Sequence, residues 1–218
     1  MALDLATLAH VLVLVYWLGG DLGAFHASFI LTDRSRPQAV RAMAGKMLAH
    51  LDMAPRSALI LALPTGVTLL ALNGWWPLPV ALLVAVWVGG LVWLALAWWL
   101  HLGHAPPGHL ARRADLVVRW VVLAGLVASA LLLQAPNGPL PFFLKAKLLI
   151  LAAAIGCGLW IRFLLGPFGA AFGALVAGRA GEAEEAVLAT ALSRARPVVL
   201  CLWALLLAAA YLGIAQPV

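Results

Sequence analysis

Apolar runs alternate with short polar breaks along the whole chain, and an uncharged run of about twenty residues spans a bilayer as one helix. Six such helices are predicted, at about 5–31, 55–73, 78–101, 114–134, 141–166 and 197–215. Asp4 or Thr7 is placed near the first N-cap. The second helix opens at Pro55, and Pro64 should kink it. Asn73-Gly74-Trp75-Trp76-Pro77 and Gln134-Ala135-Pro136-Asn137-Gly138-Pro139 read as turns. Residues 35–54 read as an amphipathic connector helix, begun by Ser35 and Pro37, with Val40, Met43, Met47, Leu51 and Ala54 as its apolar face. Residues 167–181 are rich in Gly and Ala. They precede a separate polar helix containing Glu182, Glu184 and Glu185. The pattern predicts an all-α, polytopic bundle that forms a single transmembrane domain.

Composition agrees with a lipid bilayer as the main partner. Of 218 residues, 65% are hydrophobic and 10% charged, where a soluble domain carries about 25% charged residues. The net charge of +6 raises the question of nucleic acid. The basic residues sit instead in alternate connectors. Arg34, Arg36, Arg41, Lys46 and Arg56 mark the first. Arg112 and Arg113 mark the third, with Arg119 just inside the following helix. Arg162, Arg179, Arg194 and Arg196 mark the fifth. The second and fourth connectors hold none. That asymmetry places the odd connectors in the cytoplasm and both termini outside, and removes nucleic acid as a partner. The first apolar run lacks a basic leader, is long and carries Asp21, so it reads as a span and not as a cleavable signal. Cys157 and Cys201 lie in apolar segments and read as small buried hydrophobes, with no disulfide framework.

Candidate chemistry begins on the first helix. At about 100° per residue, Trp17 and Asp21 fall close to the His10 direction, and Ser28 returns to that face. Ionisable groups at membrane depth are expensive and mark functional sites. His10 lies about 8 Å below the outer end and Asp21 about 16 Å deeper, so the two belong to one polar track or to two sites, and cannot share one metal ion. At the depth of His10, Lys145 and Lys147 stand about 200° apart on the fifth helix, so one of them can face the bundle. His10 would then supply a ligand and the lysine would meet an anionic group such as a haem propionate. In the competing reading both lysines snorkel outward and His10 bonds a backbone carbonyl. Asp21 fits a proton or cation relay, or else a protonated acid bonded across helices.

Weaker signals complete the inventory. His26 shares a face with Gly19 and Gly23, a small-residue pair suited to close helix approach. His26 with His101 or His104 is the pair whose depth suits a bis-histidine haem, although interfacial histidines, His109 included, are usually just solvated. Met43, Met47 and His50 recur at helical spacing and suit Cu(I), but the same stripe is that of an ordinary amphipathic helix. Trp17-Leu18-Gly19-Gly20 recurs as Trp87-Val88-Gly89-Gly90. Duplication, or chance among common Trp and Gly residues, would account for the repeat. Phosphate loops, CxxC pairs, HExxH and Ser-His-acid patterns are missing from the sequence.

His10 to Gly20, a His-x6-Trp-Leu-Gly-Gly run, resembles the opening helix of the copper-resistance D (CopD) membrane domain and of HemJ-type protoporphyrinogen oxidases. Met53-Ala54-Pro55 is similar to the Met-x-Pro of the HemJ type, and Lys147-Leu148 to its Lys-Leu motif. Asp21 lies outside the pattern. The resemblance implies a bacterial inner-membrane bundle binding haem b through His10, with Lys147 near carboxylates of haem or substrate and Trp17 shaping the pocket. A porphyrin or quinone-type electron partner goes with that reading, and a haem-dependent oxidoreductase is its enzymatic form. The CopD relatives imply the alternative, a copper permease with His10 and Asp21 on the ion path and Met43, Met47 and His50 at its exit. A third reading is a membrane scaffold whose polar groups only pack helices.

Overall fold

The computed structural model describes residues 1–103, 108–135 and 138–216. Eight helices follow in order: α1 (Ala2–Thr32), α2 (Gln38–Leu51), α3 (Met53–Leu72), α4 (Val80–His101), α5 (Leu110–Leu132), α6 (Phe142–Leu164), α7 (Phe168–Val176) and α8 (Glu182–Ala215). A two-residue antiparallel ladder pairs Gln134 with Pro139 and Ala135 with Gly138 between α5 and α6. Six stretches are long and apolar enough to cross a membrane, with α2 and α3 together forming one of them. The protein is therefore a multi-pass, all-α membrane bundle.

Spanning helices pack in a closed ring. α1 lies against α3, α3 against α4, α4 against α5, α5 against α6, α6 against α8, and α8 returns to α1. Each contributes to one core, with Trp17, Ile60, Trp93, Leu126, Ile155 and Leu206 among its buried members. Outward faces carry exposed Leu, Val and Phe such as Leu22, Val92, Leu131 and Phe163, the expected solution where lipid replaces water. All Lys and Arg residues except Lys145 and Lys147 gather towards one end of the ring.

A second apolar cluster caps that basic end. Leu31, Ala44, Ala171, Leu175, Leu188 and Leu192 bring α2 and α7 onto the ends of α1 and α8. Arg41 is buried within it. Its Nε donates to Leu31 O at 2.8 Å and its Nη1 to Glu185 Oε1 at 2.9 Å, so the charge enters the cap already paired. On α2 the protein-facing side is Arg41, Ala44 and Gly45. The apolar stripe of Val40, Met43 and Met47 is turned outward.

Several expected boundaries move. α1 starts at Ala2, so Asp4 lies in its first turn, and Thr7 bonds back to Leu3 O. Neither caps it. The polar helix and the sixth span are one continuous helix, α8, which runs through Pro197. Proline removes one backbone bond there. Burial on both sides, by Leu188, Leu192 and Ala195 and then Leu202 and Leu206, keeps the helix intact. Arg196 adds an anchor beside the proline. It donates to Ser28 Oγ at 3.0 Å, Ser28 O at 2.9 Å and Thr32 Oγ1 at 3.0 Å, and lies 3.8 Å over the Phe29 ring. Both cysteines are free; Cys157 is half-buried and packs against the core as a small hydrophobe, whereas Cys201 is exposed.

The repeated Trp-x-Gly-Gly runs have a common structural use. α3 is clasped between them. A Cβ on Gly20 would lie 2.5 Å from Ala54 Cβ and 2.8 Å from Pro55 Cδ, and one on Gly90 would lie 3.3 Å from Pro64 Cγ. Gly19 and Gly89 face nothing within 4 Å. The close-approach pair on α1 is thus Gly20 with Gly23, which meets Leu51, and not Gly19 with Gly23.

Candidate functional site

The polar stripe of α1 faces into the ring, and each of its members meets a different neighbour. At the end away from the arginines, His10 Nδ1 lies 2.8 Å from Thr65 Oγ1 on α3. Thr65 follows Pro64, and its hydroxyl also lies 2.7 Å from Leu61 O. A hydroxyl has one proton. With that proton given to the Leu61 carbonyl, Thr65 Oγ1 accepts from His10 Nδ1–H. Imidazole Nε2 then carries the lone pair. An outer group that fixes the tautomer in this way is how ligating histidines are usually held. Gly66 adjoins the ring, and a Cβ there would meet His10 Cε1 at 3.5 Å, an ordinary contact.

Lys147 on α6 lies close enough to His10 for its charge to act on the imidazole. Its Nζ reaches α8, where a Cβ on Gly213 would stand 2.9 Å from it. Among the described residues no carboxylate is within ion-pair distance of Lys147. Lys145 is also half-buried, but no contact between it and the His10 group is seen.

Deeper in the bundle, Trp17 is 2% exposed and Asp21 8%. The indoles of Trp203 on α8 and Trp17 both approach the Asp21 carboxyl, and Asp52 acts on it from the α2–α3 junction. Asp21 Oδ2, Trp17 Nε1 and Trp203 Nε1 are nonetheless buried without a hydrogen-bond partner among the described residues. Three orphaned polar atoms thus meet at about the middle of the membrane, where such groups are costly. Nothing in the sequence pointed to Trp203 as a neighbour of Asp21. The last member of the stripe, Ser28, receives Arg196.

Other sequence-derived candidates separate. His26 is exposed, and its helix α1 is not a ring neighbour of α4, which carries His101. The His101 ring instead packs 5.3 Å from that of His50, and His104 lies outside the described residues. Met43 is 64% and Met47 49% exposed on the outer face of α2, away from the stripe of α1. Among the described residues no group of three His, Cys, Asp or Glu side chains is arranged to hold a metal ion.

Asp21 is not alone as an acid inside an apolar segment. Asp115 on α5 is 2% exposed. Its Oδ2 accepts from Arg162 Nη1 at 2.7 Å and Arg119 Nε at 3.1 Å, and its Oδ1 from Trp93 Nε1 at 3.0 Å and Arg119 Nη2 at 3.2 Å. The four-residue spacing of Asp115 and Arg119 was a readable sign of this pair. Comparison with family models, with curated proteins and with solved structures found no match.

Proposed function

We propose that the chain is a haem b-binding redox protein of the bacterial inner membrane, with its termini outside, in which His10 would hold the haem iron through Nε2. The observation that carries this reading is the His10–Thr65 bond, which leaves an oriented imidazole lone pair inside an apolar bundle. Lys147 supports it as a half-buried cation without a carboxylate partner among the described residues, suited to a propionate carboxylate. Trp17 walls the inner side of the site. Haem, when bound, supplies one-electron chemistry. Asp21, beside two indole N–H groups and facing Asp52, is the group assigned to proton movement.

Purified protein expressed with haem available should show a Soret band. His10→Ala should abolish it. Thr65→Val, which removes the tautomer-fixing partner, should weaken haem retention by about 10- to 100-fold. Lys147→Gln should lower retention less, and Asp21→Asn should leave the band in place. A colourless wild-type protein, or a band unchanged in His10→Ala, would overturn the reading.

A further inference from the structure

At the basic end, opposite His10, a cavity of about 310 Å³ opens among α3, α4, α5 and α6. Its polar walls are Arg56, His101, Arg112, Asp115, Arg119 and Arg162. We propose that this cavity binds a phosphate group, carried by the headgroup of an anionic phospholipid or by a small soluble phosphate ester.

Charge is the first argument. Four guanidiniums line the space against a single carboxylate, Asp115. Arg56, Arg119 and Arg162 alone still outnumber Asp115 and Asp52, the ion-pair partner of Arg56. Basic residues that only set topology have no reason to converge on one hollow. Here they come from three different helices.

Preorganisation is the second argument. Both oxygens of Asp115 are saturated by Trp93, Arg119 and Arg162. The buried acid therefore fixes two guanidiniums in the wall without exhausting them. Arg162 spends a single N–H on Asp115, and its side chain remains 41% exposed. A guanidinium offers five N–H donors in a planar fork that matches phosphate oxygens. Helix packing alone needs only the Asp115–Arg119 pair, and does not require guanidiniums of α3 and α6 to meet at the same hollow.

Size and position narrow the ligand. The volume lies at the lower end of the about 300–1,000 Å³ range of ligand clefts, enough for a headgroup or a small ester. Basic pockets between membrane helices at the cytoplasmic side are a recurrent place for anionic headgroups. Because the cavity shares no residue with the His10 group, this inference stands or falls independently of haem binding.

The test uses the full-length protein in nanodiscs of phosphatidylcholine, with and without phosphatidylglycerol. Native mass spectrometry reads the retained lipid, and calorimetry reads inorganic phosphate added to the phosphatidylcholine discs. Phosphatidylglycerol retained through Arg112 and Arg162 identifies a lipid headgroup site. Phosphate binding without lipid retention identifies a soluble ester. In either case Arg112→Gln and Arg162→Gln should each weaken binding at least about tenfold. Arg36→Gln, on an arginine paired with Asp33 in the exposed connector, should leave it unchanged. Arg112→Gln leaves the Asp115 bonds in place, so it serves as the test should Arg162→Gln fail to fold. Binding of neither probe, or binding equal in wild type and both cavity variants, would overturn the proposal.

Discussion

Asp115→Ala should cost about 3–5 kcal/mol of bundle stability, because it removes the acid that compensates buried Arg119. Arg119 is 8% exposed and directs two N–H groups at Asp115. Without the carboxylate, that buried charge is left among other guanidiniums with no acid beside it, together with a Trp93 indole that has lost its acceptor. Arg162, half in solvent, loses less. The pair itself need not be stabilising, since replacing both charges by apolar groups is often neutral. The double variant Asp115→Leu, Arg119→Leu should therefore be more stable than Asp115→Ala alone. Detergent unfolding monitored by circular dichroism separates these cases. A double variant that merely adds the losses of its two single changes would sink the argument. The same reasoning explains why Asp115 is unsuitable for testing the cavity: its loss would perturb folding and binding together.

Periodicity and charge placement made the architecture legible. Each predicted span lies on a helix of the bundle, because length and apolarity suffice to define a helix in lipid. What they do not define is where a helix stops when tertiary contacts favour its continuation. Pro197 reads as a beginning, yet the packing of Leu188 and Leu192 below it and Leu202 above it makes α8 continuous. The α2 stripe shows a second limit. Val40, Met43 and Met47 form an apolar face, as the pattern says, but in a membrane protein such a face can look outward. The face that packs is the one with small residues and Arg41.

The candidate site was half legible. Helical geometry alone put His10, Trp17, Asp21 and Ser28 on one inward stripe. Their partners Thr65, Trp203 and Arg196 come from α3 and α8, and adjacency of those helices is not written in any local pattern. Lys147 was singled out by depth and motif, and the ring order brings it near His10 through α8. His101 shows the converse. Depth suggested His26 as its partner, but α2 carries His50 to it.

Gly20→Ala should lose about 1–3 kcal/mol, although alanine is the better helix former by about 1 kcal/mol. The added methyl would meet Ala54 Cβ at 2.5 Å, Pro55 Cδ at 2.8 Å and the Leu51 carbonyl at 3.0 Å. None of these is the end of a flexible side chain. α1 and α3 must then move apart, and with no hydrophobic drive between helices in lipid, lost close packing is poorly replaced. Gly19→Ala, one residue away with open space, should be neutral or stabilising. Gly90→Ala should fall between them, since its nearest neighbour is the Pro64 ring at 3.3 Å. Thermal melts of the three variants in one detergent give the order. The separation of α1 from α3 should also disturb the His10–Thr65 bond, so under the proposed haem-binding role Gly20→Ala should retain haem less well than Gly19→Ala. Equal melting points for the Gly19 and Gly20 variants would show that the α1–α3 interface is looser than the distances require, and that the Trp-x-Gly-Gly runs do not serve to admit the prolines of α3.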